Sequence, residues 1–540
     1  MKKSNKVTLI CTESFCSQGP RILSSCLKKA GFSSNLIFLS NFESRLSEHT
    51  LNQVDELCRG SLFVGVSCMC ISEALAVQVM RYLKDRKYIV VLGGIHATLN
   101  PEKMSEFADY LCIGEGEEAI VELALNLYAN KMGSKILNIL KTGDDTRKVP
   151  NLRPLIPNLD SLPYPDYDLS SQFVLIRGRI KKARPEMFSL GEHNIASRVL
   201  AGFSDFVLCQ TVRGCPYDCV FCCNHDLKRL YSGKGSYIRK RSPENAILQV
   251  YMFKKKVVVP EIVWFIDDDF FLRSKDELIS MMNFYKRKIG IPFMCYLTPM
   301  TFDKKKFEVL LDGGMYMVEI GLQTGSREFS ARIYNRKCSP NRIFKMSSIL
   351  SRYSSRMFPP IYQVMYMNPL EHASDTLRTI ELIQRLTPPF YLMPLGINFF
   401  PGNAMYKIAR KKIGGQYNLN DFYKLSYRDY YGHIKLMKER RSLHMLVHLM
   451  GGINKKHMCG KLPRFLVKRL ASLAAKEKDG PLFALLNIYS FLYPSNIIWR
   501  VNRKYQGLYL ELLLSCLRMR CKLRKLRRRI ILNTSRRIFH

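Results

Sequence analysis

The feature that most constrains this chain is a regular alternation. Short β-rich runs at Val7–Cys11, Leu36–Leu39, Leu62–Ser67, Tyr88–Leu92 and Tyr110–Ile113 are separated by segments long enough for a helix. Strands alternating with helices pair in parallel, because each crossover must carry the chain back across the sheet. Between the first two runs Ile22, Leu23, Cys26, Leu27 and Ala30 recur at helical spacing and stop at Gly31, where a C-cap glycine belongs. Five such units predict an α/β, doubly wound domain over residues 1–150, with its ligand at the carboxyl ends of the strands. Ser67 closes the third run, Gly93-Gly94 follow the fourth, and Gly114-Glu115-Gly116 follow the fifth. Glycine at these points lets backbone approach a bulky flat ligand, but it also ends strands in any α/β fold.

Residues 151–200 lose the alternation and carry Pro154, Pro157, Pro163 and Pro165, followed by a basic stretch at Arg177–Arg184, so they are expected to be a linker. From about residue 205 the pattern resumes, with runs at Phe206–Gln210, Ile262–Ile266, Phe293–Leu297, Met317–Leu322, Tyr362–Met367 and Leu392–Phe399. Six strand–helix repeats predict a partial parallel barrel over residues 201–415, with its chemistry at the strand C-termini. Residues 416–540 are expected to form a basic, mainly helical region.

Directly after the first strand of this second series stands Arg213-Gly214-Cys215-Pro216-Tyr217-Asp218-Cys219-Val220-Phe221-Cys222. Three thiolates spaced Cys-x3-Cys-x2-Cys on a Gly/Pro loop can wrap one metal centre, and thiolates are the usual holders of iron–sulfur clusters. A four-iron cube held by three of them leaves one iron open. The other readings are a structural zinc knuckle completed by Cys209, Cys223 or His225, and a chance cluster of buried thiols; Cys223 itself reads as a packed thiol.

The loop resembles that of the radical S-adenosylmethionine superfamily, in which it holds a 4Fe-4S cluster whose open iron chelates S-adenosylmethionine. That resemblance implies Cys215, Cys219 and Cys222 as ligands and places Phe221 beside the adenine. The N-terminal half resembles the flavodoxin-like cobalamin-binding domain that precedes this barrel in a large subgroup, through Val64-Gly65-Val66-Ser67, Leu92-Gly93-Gly94-Ile95-His96-Ala97-Thr98, Pro101-Glu102 and Ile113-Gly114-Glu115-Gly116-Glu117. Leu162-Pro163-Tyr164-Pro165, Arg241-Ser242-Pro243-Glu244 and Phe265-Ile266-Asp267-Asp268 also recur there. It implies cobalamin contacts at Ser67, Gly93, Gly94, Gly114, Glu115 and Gly116, and cofactors comprising a 4Fe-4S cluster, S-adenosylmethionine and cobalamin.

Several departures matter chemically. The loop after the first strand, Thr12 to Gly19, lacks the histidine that ligates cobalt from below in cobalamin mutases, so cobalamin is expected to bind without a protein imidazole. Cys16 in that loop and His96 after the glycine pair are read as incidental or packed. Gln323 stands where many relatives carry Glu; it can hydrogen-bond S-adenosylmethionine but cannot pair with its ammonium as a carboxylate would. Asn403 stands where Thr is usual after Pro401-Gly402. Asp267, Asp268 and Asp269 either orient a ribose or substrate hydroxyl or cap a helix.

The implied activity is radical methylation of an unactivated carbon of a small-molecule or lipid-like substrate, with an external one-electron reductant. A cyclase, ring-rearranging or oxidising enzyme using the same cofactors is the alternative. A third class, a nucleic-acid- or membrane-binding iron–sulfur protein, rests on charge. The chain holds 84 Lys and Arg against 45 Asp and Glu, and residues 421–540 alone hold 27 against 6. The run from Arg518 to Arg529 could track phosphates or anionic headgroups. No nucleic-acid recognition fold accompanies it, so peripheral contact with the inner membrane face is the better expectation. The apolar stretch Leu482–Trp499 is interrupted by Asn487, Ser490, Pro494, Ser495 and Asn496 and is too short to span a bilayer. His444 and His448, four apart, read as a helix face. An apolar fraction of 47% excludes general disorder, and 17 scattered cysteines with no signal-peptide pattern point to a reducing, cytoplasmic location.

Overall fold

A computed structural model describes residues 4–39, 45–131, 135–145, 151–189, 203, 205–426, 428–476 and 481–492. The basic run Arg518–Arg529 lies outside the described residues.

The first sheet has eight strands: β1 (Lys6–Cys11), β2 (Ser33–Phe38), β3 (Ser61–Ser67), β4 (Val90–Gly93), β5 (Tyr110–Cys112), β6 (Ile139–Lys141), β7 (Gln172–Ile176) and β8 (Arg179–Lys182). Their spatial order is β6-β5-β4-β3-β1-β2-β7-β8. The order reverses at β1, so the ends of β1 and β3 open a crevice of the doubly wound type. β1 and β4 bury nearly every residue and β3 buries its central four, as strands covered on both faces do.

The expected linker is corrected here. β7 pairs in parallel with β2, Leu36 opposite Gln172, and β8 turns back antiparallel to β7, so residues 172–182 finish the first sheet. Prolines upstream and the basic edge of β8 conceal a strand whose partner lies some 135 residues away. Arg21, fully buried, fastens this return: its guanidinium donates to the Asp166 and Phe15 carbonyls and to Gln172 Oε1, and it lies over the Phe15, Phe38 and Phe188 rings.

The second sheet runs β9 (Phe206–Cys209), β12 (Ile262–Phe265), β13 (Phe293–Leu297), β14 (Met315–Gln323), β15 (Ile361–Tyr366) and β16 (Phe390–Gly396) as parallel neighbours, closed by the antiparallel β17 (Gly452–Asn454). This is the six-stranded partial barrel the periodicity predicts. Its helices start on side-chain caps, including a Ser274–Glu277 capping box at helix Lys275–Lys288. Between β9 and β12 a two-residue ribbon, β10 (Val212–Arg213) with β11 (Arg239–Lys240), pairs Arg213 directly with Arg239 and encloses the whole cysteine loop.

Beyond the barrel, His444 is buried and accepts from the Met367 N–H, while His448 stacks on Tyr430 at 3.8 Å, so both pack as a helix face. No helix among the described residues is long and apolar enough to cross a membrane.

Candidate functional site

Gly214 opens the cysteine loop with φ +90°, and a Cβ there would overlap the Tyr237 carbonyl, so only glycine lets the loop leave β10 this way. Three strand ends then hold the loop. Asp267, at the end of β12 and fully buried, accepts from the N–H groups of Thr211 and Val212 and from the Thr211 hydroxyl. After β14, Tyr334 accepts from the Val220 N–H, and Asn335 donates to the Asp218 carbonyl. After β16, Asn403 donates to Asp226 at 2.8 Å, and Met405 N–H donates to the Val220 carbonyl. Asn403, a departure by sequence, thus has a defined anchoring contact.

The three cysteines differ electrostatically. Cys222 is the N-cap of helix Cys223–Leu230, where the helix dipole favours an anion, and the Cys223 S–H donating to it brings its thiol down to about 7. Cys223 is exposed and engaged with Cys222, which corrects its expected role as a packed thiol. Burial pushes the Cys219 thiol up, against the nearby Arg336 guanidinium, whose Nη1 lies 3.7 Å from the sulfur. Burial raises the Cys215 thiol to about 12, with Asp268 and the other two cysteines adding to the rise. A bound metal displaces the thiol proton and supplies the missing positive charge. One thiolate per iron is what a cubane needs, so its ligands do not meet around a single point. Among the described residues no three His, Cys, Asp or Glu side chains do. Three cysteines on one loop, one at a helix N-terminus and one beside a guanidinium, are a donor set that fits an iron–sulfur cluster. The three proposed fourth ligands are each engaged elsewhere: Cys209 is buried against the Ala246 carbonyl, His225 Nδ1 sits 3.0 Å from Asp218, and Cys223 donates to Cys222.

Arg336 is the residue that reading by motif missed. It is buried, and besides Cys219 it reaches the Gly321 carbonyl at 2.8 Å, joining the loop to the end of β14. Only its proximity in space reveals it. Gln323 ends β14 in a left-handed conformation, φ +72°, at a register shift against β15. Phe221 packs edge-on against Tyr334, centroids 5.0 Å apart. Of the three aspartates, Asp267 and Asp269 are structural, the latter capping Phe271 and accepting from Thr298. Asp268 alone is exposed, close enough to Cys215 and Cys222 to act on both electrostatically.

In the first domain Ser67 and Gly93 are register partners at the ends of β3 and β4, and Gly94, φ +95°, packs against Cys68 backbone. Met69 and Ile71, on the loop after β3, are 43% and 53% exposed, an apolar rim at the strand ends. Between them Cys70 Sγ lies 2.8 Å from His96 Nδ1, and His96 Nε2 lies 2.8 Å from Glu73, whose other oxygen meets Lys103. Cys16 is buried in the same apolar cluster as Phe15. Small residues, an apolar rim and a crevice suit a large flat cofactor.

Gly114, Glu115 and Gly116 do not join this group. A Cβ on Gly114 would fall on the Tyr231 hydroxyl, which accepts from the Glu115 N–H at 2.6 Å. The Glu115 carboxylate is gripped bidentately by Arg239 and met by Arg213. Gly114 and Glu115 thus meet side chains of the barrel domain, while the Gly114 N–H also donates to the Thr98 hydroxyl and Gly116 packs against Cys112 and Leu23 of its own domain.

Residues 15–124 match the B12 binding domain, and residues 209–383 match the Radical SAM superfamily. The chain is 28% identical over 246 residues to an uncharacterized methyltransferase of Pyrococcus horikoshii, a match covering 45% of this chain and about half (47%) of that relative. It is 25% identical over 377 residues to bacteriochlorophyllide d C-8(2)-methyltransferase of Chlorobaculum tepidum, covering 67% and 73%. Among solved structures, the radical S-adenosylmethionine methyltransferase TsrM of Kitasatospora setae superposes with a TM-score of 0.59 at 15% identity, over 77% of both chains. The cobalamin-dependent radical enzyme OxsB superposes with the same TM-score at 14% identity, over 99% of this chain and 81% of that one. With both domains matched in this order, the chain has the domain arrangement of the cobalamin-binding radical S-adenosylmethionine enzymes, whose cofactors are a 4Fe-4S cluster, S-adenosylmethionine and cobalamin.

Proposed function

We propose that this enzyme methylates an unactivated carbon of a small molecule, with Cys215, Cys219 and Cys222 each holding one iron of the cluster. The observation that carries this reading is that the cysteine loop and the crevice-bearing domain are locked together through Glu115, Arg213, Arg239 and Tyr231. When bound, the cluster and S-adenosylmethionine supply a 5′-deoxyadenosyl radical, and cobalamin carries the methyl group.

The chain's own residues hold and orient. Arg336 favours the thiolate of Cys219, and the helix N-terminus favours that of Cys222. Gln323, which can donate and accept, and the exposed carboxylate of Asp268 are available to the polar groups of S-adenosylmethionine at the barrel mouth, with Phe221 beside the adenine. Ser67, Gly93 and Gly94 leave room for cobalamin. The similarity to methyltransferases favours methyl transfer over ring closure or oxidation. The P. horikoshii match spans only half of that protein, and the substrates of the C. tepidum relatives, large flat tetrapyrroles by name, extend to this chain as a class only: a small molecule taken into the barrel mouth.

The test uses S-adenosylmethionine carrying a deuterated methyl group. A product heavier by the labelled methyl, formed with 5′-deoxyadenosine, is expected. 5′-Deoxyadenosine formed with an unlabelled, altered product would replace methylation with the cyclase or oxidase reading.

Peripheral membrane contact is part of the proposal. Phe465, Leu485 and Ile488 are 79%, 64% and 55% exposed on two neighbouring helices, and Lys468, Arg469 and Lys476 flank them. Exposed apolar side chains beside cations suit an anionic lipid surface. Flotation with vesicles containing phosphatidylserine is expected to carry the full chain, and the triple change Phe465→Glu, Leu485→Glu and Ile488→Glu is expected to reduce it several-fold; equal flotation would remove these helices from contact.

A further inference from the structure

The excursion from Arg213 to Arg239 contains every cysteine of the loop, and its two ends are the register pair of the β10–β11 ribbon. Both ends carry arginine, and both arginines leave the barrel to meet the other domain. Arg239, 5% exposed, donates from Nη1 and Nη2 to the two Glu115 oxygens at 2.9 and 2.7 Å. Arg213 reaches Glu115 at 3.2 Å and Glu117 at 2.6 Å. Glu115 and Glu117 flank Gly116 at the start of helix Glu117–Tyr128, which follows directly from β5 of the cobalamin-binding domain. A third contact stands beside these. Tyr231, at the C-cap of the helix that begins with Cys223, fills the space above Gly114, accepts from Glu115 N–H, and receives Asn138 Nδ2 at 3.3 Å.

Burial works against the charge on Glu115, but the two guanidiniums outweigh it and hold its carboxyl below the usual range. Bidentate pairs between buried groups are geometrically strict, and losing one partner strands the other charge. A loop held this way cannot shift against β5 without breaking the set together.

We propose that Arg213 and Arg239 with Glu115 and Glu117 form an ionic clasp that positions the cysteine loop on the cobalamin-binding domain, so that binding of cobalamin is felt at the loop. These are positioning residues, since none touches the reacting atoms. The inference rests on the cobalamin assignment above, and its test separates the two.

The test is hydrogen exchange of the full chain, before iron loading, with hydroxocobalamin as the only added ligand. In the wild type, exchange is expected to slow at residues 64–98 and, by tenfold or more, at residues 213–239. The charge-neutral pair Glu115→Gln with Arg239→Gln keeps the shape of the first side chain, shortens the second and leaves neither charge of the pair uncompensated. In that variant residues 64–98 are expected to slow as before while residues 213–239 no longer respond. A loop that responds equally in variant and wild type overturns the clasp, as does a wild-type loop that ignores cobalamin while residues 64–98 slow. Slowing nowhere in the wild type defeats the cobalamin assignment and the clasp with it. Should the double variant not fold, Arg239→Lys keeps the charge and loses the fork; a loop response undiminished there overturns the proposal, and a response reduced several-fold supports it.

Discussion

Replacing Cys215, Cys219 and Cys222 together by alanine is expected to leave a chain that still binds cobalamin but carries no iron–sulfur chromophore and forms no 5′-deoxyadenosine. The three sulfurs sit on one loop whose backbone is fixed by Asp267, Tyr334 and Asn403, none of which is a sulfur ligand. Removing thiols from that frame deletes ligands without deleting the frame. Ser67, Gly93 and Gly94 lie on the other domain, so the second cofactor should remain. Iron, sulfide and cobalt analysis beside an anaerobic ultraviolet–visible spectrum reads both outcomes. Iron retained in the variant would end the cluster assignment, and cobalamin lost along with iron would show that the two sites do not load separately.

A second large effect is expected from Glu371, just after β15. It is 2% exposed, its Oε2 accepts from the Thr376 hydroxyl at 3.1 Å, and its Oε1 has no partner among the described residues. Burial pushes its carboxyl up to about 8, with Asp375 adding to the shift and Arg440 opposing it. The folded state therefore holds this proton more tightly than the unfolded chain, in which the group titrates near 4.5. Stability attached to it is complete below pH 4.5, falls as pH rises toward 8, and changes no further above that. Across that window the loss is about 5 kcal/mol at ~1.4 kcal/mol per unit. Glu371→Gln, neutral and of the same shape, removes this dependence. The variant is expected to melt several degrees above the wild type at pH 8 and within about a degree of it at pH 5. Equal midpoints at pH 8 would show that the carboxylate is accommodated in its ionised form. Glu319 in β14, pushed up to about 7 by burial, adds a smaller slope of the same sign.

What could be read in advance follows from what is local. The six barrel strands and the cysteine loop are short-range patterns, a period of two between helix-length intervals and three thiols within eight residues. β7 and β8 are not local, because Gln172–Ile176 is a strand only by virtue of β2, far upstream. The same limit governs the charges. Glu115 stands in a glycine-rich turn that invites a cofactor reading, and its true partners, Arg213 and Arg239, lie about a hundred residues downstream. Arg336 sits in a segment with no motif and matters only because the chain returns to Cys219. Asp269 fell on the capping side of the two readings open to it, Asp267 anchors the backbone that leads into the loop, and Asp268 alone of the three is exposed.

The late arrival of β7 has a consequence for synthesis. A nascent chain that has emerged through β5 holds a sheet whose β2 margin is bare, and it stays bare until residue 176 leaves the ribosome. At about 5–20 residues per second this interval lasts roughly three to thirteen seconds. An unpaired strand rim is a template for any other extended segment, so the first half of this protein must wait, open on one side, for a strap made almost a quarter of the chain later.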